Sequence, residues 1–359
     1  MASSTRSLSS LPYDLVMKAG LQMLEANLVP DFLLRRAARM LLSMRLRVSY
    51  KPTAAEQLRD LMEFAHSLKE FPIAVHSDKP NSQHYEVPTE FYKLVLGKHM
   101  KYSCSYFSKQ TSGLDESEQA MLELYCERAQ IADGQKILDL GCGWGSFSLY
   151  IAKKYPQALI TGLSNSKTQK DYIEEECRKQ GISNVNIITS DINLTEADTA
   201  YDRIVSIEMF EHMKNYKKLL KKISSWMKPN GLLFVHIFVH KVFAYHFQDS
   251  GDDDWMARSF FTGGTMPADG LLLYFQDDVS ILNHWRISGN HYSRTSEEWL
   301  KNMDRNLESV KIIFEKTYGE SEVRKWIAYW RAFFIAVSEL FGFNNGEEWM
   351  VSHYLFKRK

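Results

Sequence analysis

Residues 207–215 read IEMFEHMKN and set Glu208, Glu211 and His212 among Ile207, Met209, Phe210 and Met213. On a helix, positions i, i+3 and i+4 share one face, so the spacing predicts that two carboxylates and an imidazole converge. A carboxylate among hydrophobes is costly unless it is paired. Such a group suits acid–base work on a cation, the carboxylates attracting it and the imidazole taking a proton. The structural alternative is a helix start, where acids are stabilised by the positive end of the helix.

A second cluster lies upstream, where the strand ILDL (137–140) enters GCGWG (141–145). Glycines at alternate positions let a ligand approach the backbone at a strand's carboxyl end, where open α/β sheets bind ligands. The pyrophosphate fingerprint G-x-G-x-x-G needs glycine at 146, and that residue is Ser146. Asp139 stands two residues before the first glycine, and no cation is offered for a phosphate. An acid beside a glycine turn suits a ligand with a cationic amino-acid end. S-adenosylmethionine fits, with Asp139, Gly141 and Gly143 as its candidate holders; a glycine turn without cofactor is the alternative.

The next strand ends TGLSNSKTQ, with Asn165 at its tip and Gln169 one helical turn on. Their neutral amides can hydrogen-bond ribose hydroxyls in place of the usual acid. In SDI (190–192), Asp191 is placed to accept from an adenine amino group and Ile192 to pack on its face. A plain helix cap is the alternative for Asp191.

These groups must be positioned by a chain of 359 residues, enough for one large domain with additions or for two domains. Its net charge of zero lacks the electrostatic footprint of a nucleic-acid binder. No uncharged run reaches the roughly 20 residues of a membrane span, so stable membrane insertion is not expected. Cys104, Cys126, Cys142 and Cys177 form no C-x-x-C pair, which suits a reducing compartment and argues against a metal. A cytoplasmic location is expected.

Residues 11–70 carry apolar positions at helical spacing, with breaks at Pro30 and Pro52. Their arginines interleave with leucines, as on a solvated helix face or a membrane-surface helix. From about residue 116 strands alternate with helices, the signature of a doubly wound parallel sheet. KPNG (228–231) reads as a turn before the strand LLFVHIF. Residues 241–345 are aromatic-rich and irregular until a late helix near VRKWIAYWRAFFIAVSELF, and EEWMVSHYLFKRK reads as a strand returning to the sheet edge. The predicted division is a helical cap and cofactor lid over 1–115, a core over 116–240, a substrate-binding insertion over 241–345 and the returning strand over 346–359.

The strings ILDLGCGWGSFSLYIAKKY, SNSKTQKDYIEEECRKQG, YDRIVSIEMFEHMKNY, LLLYFQDDVSILNHW and FNNGEEWMVSHYLFKRK together resemble the plant coclaurine N-methyltransferase-like family. That family methylates alkaloid amines and is similar to cyclopropane fatty acid synthases. The resemblance implies an α/β, Rossmann-like methyltransferase, S-adenosylmethionine as cofactor and a small aromatic amine as acceptor. YSCSYF (102–107) resembles the family's cofactor lid, which implies that Tyr102 and Ser103 meet the methionine end. HYEVP resembles its acceptor-side segment and brings Tyr85 and Glu86 near the amine. Glu208, Glu211 and His212 match its catalytic cluster, and YWRAFF falls at its pocket aromatics, nominating Trp330 and Phe334 for the acceptor rings.

Two rivals stay open at this point. A cyclopropane synthase uses a similar Glu–His pair with a cysteine and tyrosine around a small base, and Cys104, His236 and Tyr292 occupy comparable positions. An inactive S-adenosylmethionine-binding module is the other; it has no need of a convergent base. The acceptor's identity, the class of nitrogen methylated and assembly as a homodimer are not readable from the residues.

Overall fold

The computed structural model describes residues 19–75, 87–111, 113–197, 199–247, 260 and 263–359. Pro30 and Pro52 each stand just ahead of a helix, where proline's missing N–H costs nothing. These helices are α1 (Asp31–Ser49) and α2 (Ala54–Ser67). Thr53 starts α2 with a capping box: its hydroxyl accepts the Glu56 N–H and the Glu56 carboxylate accepts the Thr53 N–H, both at 3.2 Å. Two further helices, α3 (Thr89–Val95) and α4 (Leu114–Arg128), lead to the core.

The core alternates as the sequence predicts: β1 (Lys136–Leu140), α5 (Ser146–Lys154), β2 (Leu159–Ser164), α6 (Lys167–Gln180), β3 (Val185–Thr189) and β4 (Tyr201–Ile207), then α7 (Tyr216–Trp226) and β5 (Met227–His240). A two-residue pair, β6 (Tyr245–His246) with β7 (Thr265–Met266), follows. The chain closes with β8 (Val279–Ile287), α8 (Gly289–Arg305), α9 (Leu307–Tyr318), α10 (Val323–Gly342) and β9 (Trp349–Arg358).

Seven strands form one sheet in the order β3-β2-β1-β4-β5-β9-β8. The first five are parallel, and β9 runs antiparallel to both its neighbours. This is the Rossmann-like α/β class. Three expectations change. The returning strand does not take the edge; β9 is inserted between β5 and β8, and its first eight residues are all buried, as a strand covered on both faces must be. The edge belongs to β8, so residues 241–345 supply a sheet strand as well as helices. KPNG does not interrupt the sheet; β5 already starts at Met227 and absorbs the segment through a register shift opposite Tyr201 and Arg203.

Hydrophobic side chains cover both faces of this sheet in two large clusters. One is completed by α10, whose buried residues lie all round the helix. Helix α1 meets α8 and α10 through charge: Arg35 donates to Glu297 of α8 at 2.6 Å and to Glu339 of α10 at 3.0 Å, and Arg39 also pairs with Glu339.

Candidate active site

The site lies at the carboxyl ends of β1, β2 and β4. Beyond β1, Gly141 and Gly143 adopt φ of 86° and 53°, the left-handed region that glycine enters without strain. A Cβ at Gly141 would stand 2.8 Å from Met209 Cγ, whereas at Gly143 it would meet nothing within 4 Å and would project into open space. That open space is the cradle a ligand needs.

Two connected chambers share Gly141, Gly143, Gln169 and Glu208. The larger spans about 830 Å³, counting space open to solvent, and also has Asn165, Asp191, Ile192 and His212 on its wall. The smaller, about 550 Å³, is lined by Tyr102, Ser103, Asp139 and Ser146. The structure therefore brings every residue nominated for the cofactor onto one continuous cavity. Buried polar atoms support the fit: Gln169 Nε2 and Ser146 Oγ have no hydrogen-bond partner. Gln169 is aimed by Ser164, whose hydroxyl donates to its Oε1 at 2.6 Å. Asp139 accepts from the Ser148 hydroxyl at 2.7 Å, and burial pushes its carboxyl up to about 7. Asp191 does hold a cap-like contact, since its Oδ1 accepts the Asn193 N–H at 2.7 Å.

The predicted helical face of Glu208, Glu211 and His212 does not form. β4 stops at Ile207, Glu208 turns left-handed with φ of 49°, and only Phe210–His212 makes a short 3-10 turn. This geometry separates the triplet. Glu208 and His212 line the larger chamber. Glu211 turns away, fully buried, and accepts the Phe238 N–H of β5 at 2.9 Å. Burial pushes its carboxyl well above the usual range, reinforced by the nearby Glu208 charge.

Glu208 is the best-connected acid of the site. Its Oε1 accepts the Cys104 N–H at 2.9 Å and faces His236 Nε2 at 3.0 Å; its Oε2 accepts from the Tyr292 hydroxyl at 2.6 Å. Burial raises its carboxyl, while Lys101 and these donors favour the charged form. Lys101 itself is wholly buried, donates to Ser103 Oγ at 2.5 Å and to the Cys104 carbonyl at 2.6 Å, and is pushed down to about 8 by burial. Sequence reasoning passed over Lys101, although it directly precedes the lid string YSCSYF.

Two acceptor-side nominations, Tyr85 and Glu86, lie outside the described residues. The other two lie on α10. Trp330 and Phe334 have 0% exposure, lie against each other with ring centroids 5.6 Å apart, and line neither chamber. Trp330 also packs on Phe91, at 4.7 Å, and on Phe260, at 5.3 Å. Their shared face on α10 packs into the core.

Comparison with known proteins agrees with this geometry. The family model for mycolic acid cyclopropane synthetase matches residues 75–341. (S)-coclaurine N-methyltransferase of Thalictrum flavum subsp. glaucum is 49% identical over 343 residues, covering 94% of this chain and 95% of the relative. Pavine N-methyltransferase of the same plant is 47% identical, covering 94% and 95%. A crystal structure of coclaurine N-methyltransferase bound to N-methylheliamine and SAH superposes with a TM-score of 0.93 at 48% identity, covering 96% of this chain and 100% of that one. The cyclopropane-fatty-acyl-phospholipid synthase of Escherichia coli K12 is 29% identical over 60% of the chain, a distant relationship. With this sheet order, this glycine turn and these relatives, the chain belongs to the coclaurine N-methyltransferase-like family of S-adenosylmethionine-dependent methyltransferases.

Proposed function

We propose that the protein methylates the amine nitrogen of a small aromatic alkaloid of benzylisoquinoline, protoberberine or phenylalkylamine type. The observation that carries this reading is the pairing of Glu208 and His212 on the cavity that the glycine turn opens into. S-adenosylmethionine, when bound, supplies an electrophilic methyl group on a sulfonium. In the proposal Gly141 and Gly143 give its amino-acid end room, with Asp139, Tyr102 and Ser103 beside the charged atoms. Asn165, Gln169, Asp191 and Ile192 serve the nucleoside.

The residues of the chain have a proton to manage. An aliphatic amine with pKa ~10.4 holds its proton against an imidazole of ~6.5 by about 4 units, on the order of 5 kcal/mol. Glu208 attracts the ammonium and also makes His212 a stronger base. A dry cavity lowers the amine's own pKa and narrows the gap from the other side. Glu208 is thus the cation dock and His212 the proton acceptor, with positioning supplying much of the remaining rate. Glu211, buried against β5, props the turn that aims them. Tyr85 and Glu86 are proposed for the acceptor side.

A second reading draws on Cys104, His236 and Tyr292 around Glu208, the set that a lipid cyclopropane synthase would use for a small base. Both are separated by supplying labelled cofactor with a panel of aromatic amines and, in parallel, an unsaturated phospholipid. Label in N-methylated amines supports the proposal; label only in lipid overturns it. We further propose a cytoplasmic location, supported by four free cysteines. No helix among the described residues is long and apolar enough to cross a membrane. Assembly as a homodimer is part of the proposal, supported by Leu33, Met40 and Met44, which lie exposed at 43–57% along one face of α1.

A further inference from the structure

Behind Glu208 a row of polar side chains crosses the sheet. In the register, Ile207 pairs with His236, His236 with His353 and His353 with Trp285. Direct cross-strand partners point to the same face, so the two imidazoles must meet. They do: His353 Nε2 lies 2.8 Å from His236 Nδ1, and both rings are fully buried. His236 Nε2 then reaches Glu208 at 3.0 Å. At the other end Arg128 of α4, lying over the Trp285 ring at 4.9 Å, reaches His353 Nδ1 at 2.8 Å.

The direction of this chain is dictated by Arg128, because a guanidinium can only donate. His353 Nδ1 must therefore accept, which leaves its proton on Nε2 to donate to His236 Nδ1. His236 Nδ1 must then accept, and its proton sits on Nε2, aimed at Glu208; the Tyr125 hydroxyl lies 2.9 Å from the same Nδ1. Reversing the row would set a nitrogen lone pair against the Glu208 carboxylate, which only a protonated Glu208 would tolerate.

We propose that Arg128 and His353 are positioning residues that fix the tautomer of His236 and so keep Glu208 an ionised acceptor for a cationic substrate. The inference rests on the reading of Glu208 as the amine dock. The charged and titratable groups around the row are Lys101, Tyr125, Tyr292 and Cys104, with Glu211 and His212 on the turn beyond Glu208. None of them can replace a donor at His353 Nδ1.

Nitrogen-15 NMR of the histidine side chains in the free protein reads the tautomers directly, with His236 and His353 assigned by single substitution. The wild type should show both rings neutral with the proton on Nε2. Arg128→Met should populate the Nδ1–H form of His353, and His353→Phe should do so for His236. In the amine assay Arg128→Met should lower kcat/KM by about tenfold, typical of losing an outer-shell partner. It should also move the acid limb of the pH profile upward by about one unit, with cofactor affinity unchanged. Arg128→Lys, which keeps an obligate donor, should restore most of the loss. A wild-type His236 carrying its proton on Nδ1 would overturn the proposal, as would a folded Arg128→Met protein with an unaltered pH profile. If no aromatic amine is methylated at all, the function fails while the tautomer measurement still decides this inference.

Discussion

Glu208 and His212 face one chamber although the helix expected to align them does not exist. What aligns them is the end of β4: a left-handed residue followed by a single 3-10 turn. His212→Ala should lower turnover by about 10²–10⁴, the usual contribution of a general base, and leave cofactor affinity nearly intact. The loss should shrink at high pH, where more of the amine is already deprotonated; a constant deficit at every pH would make His212 structural. Glu208→Gln should act on the Michaelis constant for cationic amines, raising it about tenfold or more, the scale of a lost charge-assisted contact. Asp139 titrates near 7 in the folded chain, against about 3.9 when unfolded. The folded form thus holds a proton the unfolded form lacks, so this residue's stabilisation is lost as pH rises from about 4 through 7. A cation beside Asp139 offsets that loss. The rise in melting temperature on adding cofactor should therefore be larger at pH 8 than at pH 6 in differential scanning fluorimetry, and Asp139→Asn should level the difference. The acid and glycine positions were legible because few ligands fit that combination. Glu211 was not, because a carboxylate sent into the core and one sent into a cavity look alike in a string of letters.

Elements explain which parts of the fold were legible in the letters and which were not. Strand β1 and its turn read correctly because an apolar run broken by glycines at 141, 143 and 145, which take up left-handed backbone without strain, marks a strand end. Gly143→Val should abolish cofactor binding in calorimetry, since the branched side chain would enter the cradle and strain a φ of 53°. Undiminished affinity in a folded variant would remove the glycine turn from the site. Helix α10 was located from its pattern, yet a helix buried all round cannot announce which aromatic faces a pocket. Trp330→Ala should cost about 3–5 kcal/mol of stability, as for other buried large aromatics. It should lower the melting temperature while leaving the Michaelis constants for amines unchanged. The insertion of β9 between β5 and β8 was hidden for a different reason. Sheet order is set by which strands pair, and β8 is an edge strand whose burial does not alternate, with a register shift between Ile281 and Asn283.

At the scale of the molecule, the sheet does two jobs. Its carboxyl ends shape the cavity, and its middle carries the buried row from Arg128 to Glu208 that braces one wall of it. The helices α1, α8 and α10 are tied to one another through Arg35, Glu297 and Glu339. The reacting amine is proposed to sit between Glu208 and His212. A crystal structure with demethylated cofactor and an N-methylated aromatic amine measures that placement directly. The amine nitrogen should lie within hydrogen-bond reach, roughly 2.6–3.2 Å, of Glu208 or His212, or one water away. A nitrogen lodged elsewhere, with neither side chain near it, would contradict it.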